Sequence, residues 1–156
     1  MISNDYLKTL DWDTAIAAAE IPIKKEEART FLAKGMALCF KEDKDNKYKD
    51  AVDALSRAIA APKEKGGNDD LEQAKYYRAY AYYLSGNFER ALKDCCGIND
   101  PVARNMMKGK IMLAMERNAE AVKVLGMALK KLLPDKLPSP GLLEDYREAC
   151  RLMNNQ

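Results

Sequence analysis

Residues 74–98 read AKYYRAYAYYLSGNFERALKDCCGI, and their pattern decides the fold. Before Gly86–Asn87, Ala74, Tyr77, Ala81 and Leu84 recur at spacings of three and four. Tyr76, Ala79, Tyr80 and Tyr83 do the same. Two apolar stripes on one helix predict burial on more than one side. Gly86 suits a helix end because it accepts positive φ, and Asn87 can cap the helix that follows. After the turn, Phe88, Ala91, Leu92, Cys95 and Ile98 form one stripe, while Glu89, Arg90, Lys93 and Asp94 lie off it. A short turn between two helices favours antiparallel neighbours, so the stretch predicts an αα-hairpin. Small residues, Ala79 and Ala91, stand where the two axes would cross.

Looser copies flank it. Lys24 to about Lys41 predicts a helix with Phe31, Gly35 and Leu38 at the aromatic, small and large places. The polar run Glu42 to Lys47 then lengthens the turn, at a small entropic cost. Tyr48, Ala51, Leu55, Ala58 and Ile59 resume the stripe until Pro62. The segment Pro62 to Asp70, PKEKGGNDD, predicts a loop with caps at its end. Downstream, Asp100-Pro101 opens a helix, since proline fits the first helical position. Met106, Gly109, Met112 and Leu113 mark that helix. A glycine-free turn at Arg117–Asn118 leads to Ala121, Val122, Leu125, Ala128, Leu129 and Leu132. The stretch Pro134 to Gly141 interrupts the chain. Leu142, Leu143, Tyr146, Ala149, Cys150 and Met153 predict a final amphipathic helix at 140–153, fit to cap an exposed end. At the other end, Tyr6, Leu7, Leu10, Trp12, Ala15, Ile16 and Ala19 predict a helix in residues 1–22, closed by Ile21-Pro22.

The hairpin at 74–98 resembles the tetratricopeptide repeat, on Ala79, Tyr82, Gly86, Phe88, Ala91, Cys95 and Ile98. It departs at Lys75, where the family prefers a large aromatic. The crossing residues Ala51, Ala91 and Ala121 stand 40 and 30 residues apart, and Gly35, Ala79 and Gly109 stand 44 and 30 apart; the family period is about 34. The resemblance covers residues 24–133 and implies an all-α, antiparallel helix-hairpin solenoid of about eight helices. It divides a single domain, 1–156, into an N-terminal helix at 1–22, repeats at 24–62, 69–99 and 100–133, and a capping helix at 140–153. Generic antiparallel helix packing is the alternative.

In that family the first helices of successive repeats line a concave groove. Carried over, the lining is Leu32, Ala33, Met36, Cys39 and Phe40, then Tyr76, Tyr77, Tyr80, Tyr83 and Leu84, then Met106, Met107, Lys110, Leu113 and Ala114. The branch that grips a C-terminal carboxylate needs lysine, asparagine and arginine at places held here by Leu32, Met36, Tyr77, Ala103 and Met107. None matches, which disfavours the acidic tails of heat-shock chaperones. An apolar, tyrosine-rich groove suits an amphipathic helix or an extended apolar segment. Tyrosine gives contact area with few rotors, and methionine adapts its shape. The competing reading is that the stripe is core, or that the N-terminal helix fills the groove.

Composition bounds the rest. The chain has 156 residues, 47% of them hydrophobic and 32% charged, with a net charge of +2, which fits a helix-rich globule without a field to steer it to nucleic acid or anionic lipid. The basic doublets Lys24-Lys25 and Lys130-Lys131 read as offset by acids. No apolar run approaches a bilayer span, and Met1-Ile2-Ser3-Asn4-Asp5 lacks the features of a signal peptide. Cysteines 39, 95, 96 and 150 show no paired framework, so reduced thiols in the cytoplasm are expected. There is no histidine and no CxxC, which removes the commonest zinc ligand and general base. Residues 66–70 lack the lysine and hydroxyl of a phosphate loop. No catalysis, metal or cofactor is expected.

The function expected is a non-enzymatic adaptor or scaffold that holds a protein or peptide partner. A small chaperone shielding an apolar client segment, similar to those of bacterial secretion, is the second reading. The mitochondrial fission adaptor is similar in size but carries a membrane tail, whereas residues 151–156 are polar. Self-association as a homodimer, one N-terminal helix in the other copy's groove, is the third.

Overall fold

The computed structural model describes residues 28–41, 48–61, 69–132 and 138–155. The fold is all-α. Seven helices lie among the described residues: α1 (Ala28–Phe40), α2 (Lys49–Ala60), α3 (Asp69–Leu84), α4 (Phe88–Cys96), α5 (Pro101–Ala114), α6 (Asn118–Leu132) and α7 (Pro140–Asn154). The expected eighth helix, at 1–22, lies outside the described residues, as do the Glu42–Lys47 turn and most of the 62–70 loop. The chain divides between Ala91 and Leu92, inside α4, into two compact units.

In the first unit, α1 packs on α2, and α3 packs on both. Leu32, Leu38, Cys39, Ala51, Leu55, Ala74 and Ala81 are the buried cluster. Gly35 is required at the crossing: a Cβ there would overlap Leu55 Cγ. The missing methyl lets the Leu55 side chain lie on the α1 backbone. On α3 the small residues face inward, with Ala74, Ala79 and Ala81 all buried. Ala74 and Ala81 share the face toward α1 and α2, whereas Ala79 lies on another. Burial on two sides is therefore observed. The α2 helix stops at Ala61, which is extended (φ −64°, ψ 151°), as the proline after it demands.

The second unit repeats the arrangement internally. Here α5 packs on α6, and α7 packs on both. Met112, Ala121, Leu125, Ala128, Leu142 and Ala149 are buried together. Gly109 plays the part of Gly35, since a Cβ on it would overlap Leu125 Cγ. Asp100 caps α5 by accepting from Val102 N at 3.0 Å, with Pro101 in the first turn. Ser139 caps α7, accepting from Leu142 N at 3.3 Å. Pro140 stands at the start of the helix, just after that cap, where a missing N–H costs nothing.

The turns after α3 and α5 share one hydrogen-bond pattern. Asn87 N donates to Tyr82 O at 2.9 Å and Gly86 N to Tyr83 O at 3.1 Å. Thirty residues on, Arg117 N donates to Met112 O at 2.9 Å and Glu116 N to Leu113 O at 3.0 Å. Gly86 has φ +82° and Glu116 φ +60°, the left-handed residue of a Schellman-type helix end. The glycine-free turn thus reverses one residue earlier than the expected Arg117–Asn118 pair suggests, with a glutamate in the glycine's place.

Candidate functional site

Most of the described aromatic residues of the first unit stand on α1 and α3. Heptad-like spacing puts Tyr76, Tyr80 and Tyr83 on one strip of α3, between its two buried faces. The end of α1 brings Phe40 beside Tyr77, edge to face, with ring centroids 6.3 Å apart. Tyr77 meets Tyr76 edge to face at 5.5 Å. Further along α3, Tyr80 stacks on Tyr83 at 6.1 Å, and Tyr83 leans on Phe88 at 6.2 Å. These separations are those at which aromatic quadrupoles attract. Beneath the rings, Met36, Tyr77, Tyr80 and Leu84 pack against the core. Cys39 Sγ donates to Tyr77 O at 3.7 Å, tying α1 to the α3 backbone. Burial pushes the Tyr77 hydroxyl above the usual tyrosine range, with smaller contributions from Cys39 and Tyr80. It pushes the Cys39 thiol up to about 12.

Exposure sorts the expected lining. Phe40 is 58% exposed, the most exposed large hydrophobic side chain among the described residues. Met36, Tyr76, Tyr77, Tyr80 and Tyr83 are half-buried. Leu32, at 5%, is a member of the core cluster, and Met107, at 1%, is a fully buried side chain. Neither presents a contact surface, because their helices turn them inward. Met106 is half-buried against the second unit's core. Lys110 is half-buried and engaged, its Nζ 3.1 Å from Asp145 Oδ2 on α7. The structure therefore brings the expected residues of α1 and α3 together in the first unit. Those of α5 belong to the second unit's own packing.

Two ring contacts were not signalled by apolar spacing. Arg57 lies over the Phe31 ring at 5.5 Å and Arg90 over Tyr82 at 5.9 Å. A cation and an aromatic on different helices leave no mark in a stripe. The exposed Met127, at 48%, did leave one: it is an apolar residue off the α6 stripe, between lysines.

All four cysteines are unpaired. Among the described residues, no three His, Cys, Asp or Glu side chains are placed to hold a metal ion. No helix of the described residues is long and apolar enough to cross a membrane. Compared with family models, curated proteins and solved structures, the chain matches none.

Proposed function

We propose that this protein is a non-enzymatic interaction module of tetratricopeptide-repeat type, whose first unit binds an apolar protein segment on the α1–α3 aromatic surface. The observation that carries the reading is Phe40. A phenylalanine more than half exposed, continuous with four half-buried tyrosines, offers rigid contact area that solvent alone does not call for. The repeat reading rests on two internal recurrences, the Gly35–Leu55 and Gly109–Leu125 crossings and the matched turns at Gly86 and Glu116. The free thiols favour a reducing, cytoplasmic setting. The segment recognised would be an amphipathic helix or an extended apolar strand that seats one side chain beside Phe40.

The test is to place a photo-crosslinking phenylalanine at position 40, with position 53 on the exposed side of α2 as control. A segment captured from position 40 and not from 53 is then titrated against Phe40→Ala and Tyr76→Ala proteins. Loss of an aromatic anchor costs about 2 kcal/mol, or roughly 30-fold in affinity. Phe40→Ala should keep its thermal midpoint, because the ring is mostly in solvent. Equal capture at both positions, or undiminished affinity on losing Phe40, defeats the reading. Tyr80 serves less well as a probe, since it packs on the core.

A further inference from the structure

On the exposed arc of α6, helical spacing places Lys123, Met127, Lys130 and Lys131 together. All four are exposed, Met127 at 48%. None of the three lysines is ion-paired among the described residues. The nearest acid along the arc, Glu120, is occupied: both its oxygens accept from Arg117, at 2.8 and 2.7 Å. The sequence made this look like an ordinary mixed surface, and the structure removes the acid that would balance it. Other exposed faces interleave signs, as with Lys49, Asp50, Asp53 and Arg57 on α2 or Glu89, Arg90 and Lys93 on α4. Lys130 and Lys131 complement the carbonyl end of the helix, but Lys123 lies in the first half of the helix and gains nothing from it. Nor does a helix end explain a methionine at the centre of the arc.

We infer that the outer face of α6 docks an acidic protein segment carrying one apolar side chain. The carboxylates pair with Lys123, Lys130 and Lys131, and the apolar side chain covers Met127, whose thioether adapts to varied shapes. Charge complementarity selects this occupant. An anionic membrane would need several apolar residues on the same face to hold it, and here there is one. Duplex nucleic acid would meet three charges and no groove-reading arginine or stacking ring. The surface lies wholly in the second unit and is independent of the aromatic surface.

The probe is a fluorescein-labelled seven-residue peptide with a central leucine and three glutamates on each side, read by anisotropy at about 50 mM salt. Its partner peptide has glycine at the centre. Changing Lys123, Lys130 and Lys131 together to Gln should weaken the leucine peptide about tenfold or more. Met127→Ser should weaken the leucine peptide about threefold and leave the glycine peptide unchanged. All four side chains are exposed, and helical circular dichroism should stay as in the parent. The inference is overturned if the lysine changes leave affinity unaltered. An equal effect of Met127→Ser on both peptides also overturns it. So does binding to vesicles of about 30% phosphatidylserine without binding to the peptide.

Discussion

The two units solve one packing problem in the same way and one turn problem in two ways. At the crossings, Gly35 receives Leu55 and Gly109 receives Leu125, each leucine four residues after a fully buried alanine, Ala51 or Ala121. At the turns, Gly86 and Glu116 hold the same backbone path with different side chains. These two crossings admit one solution because a methyl on either glycine would overlap the leucine facing it. A turn admits several because strain there is a modest, local cost.

The crossings predict the largest effect. Gly35→Ala and Gly109→Ala should each destabilise the protein by about 1–3 kcal/mol, overpacking outweighing the roughly 1 kcal/mol that alanine gains as a helix former. Denaturant midpoints would show it. The diagnostic is coupling: Gly35→Ala should cost less on a Leu55→Ala background, because the overlapped atoms are gone. If one glycine tolerates alanine and the other does not, the crossings are not equivalent.

Each unit also buries one thiol. Cys39, desolvated, and Cys95, desolvated with Cys96 and Asp94 adding to the rise, both stand at about 12 against an ordinary 9.0. A raised acid pKa means the folded state keeps the proton that the unfolded state loses. Stability from these thiols is intact below pH 9 and falls as pH climbs from there toward 12. Cys39→Ala and Cys95→Ala should each flatten that alkaline decline in urea titrations. In the native protein near neutral pH, a thiol reagent should modify the exposed Cys96 well before either.

At the turns the effects are smaller and opposite in sign. Gly86→Ala puts a Cβ at φ +82°, so it should cost about 1–2 kcal/mol even though nothing lies within reach of the new methyl. Glu116→Gly relieves the same conformation and should raise stability by about 0.5–1 kcal/mol, some of the relief being returned as unfolded-state entropy. Equal and opposite shifts would make the turns interchangeable; no gain at Glu116 would mean its side chain stabilises the turn in some other way.

How much of this was legible follows from which forces leave periodic marks. The stripes, the cap at Asn87, the helix start at Asp100-Pro101 and the end of α2 before Pro62 could be read because local sterics and capping set them. The small places Gly35, Ala79 and Gly109 could be read from spacing, but the leucines opposing two of them could not, since that pairing joins residues 16 to 20 apart. The turn at Glu116 was hidden because a non-glycine residue rarely takes positive φ. Among the expected lining residues, spacing did not reveal that Leu32 and Met107 are buried. Leu32 and Met107 point inward because one residue's step turns a helix by about 100°, enough to move a side chain from surface to core.

The finest distinction lies at the helix starts. Asn87 Oδ1 accepts from Arg90 N at 3.4 Å, a side-chain cap on α4. Its counterpart Arg117 has no acceptor, and reaches instead across the same three-residue spacing to hold Glu120 with two bonds. Both partners of that pair are exposed, where such a bridge contributes a few tenths of a kcal/mol. A capping asparagine contributes about 1 kcal/mol. Arg117→Asn should therefore be mildly stabilising, by a few tenths of a kcal/mol after losing the bridge. The gain should be larger in the Glu116→Gly background, where the chain carries the sequence of the other turn. It should grow as salt is added, because the arginine bridge that the asparagine replaces weakens while the neutral cap does not. A net loss on introducing asparagine, recovered in high salt, would show that α6 begins on the strength of its ion pair, and that the two turns share a path without sharing the forces that hold it.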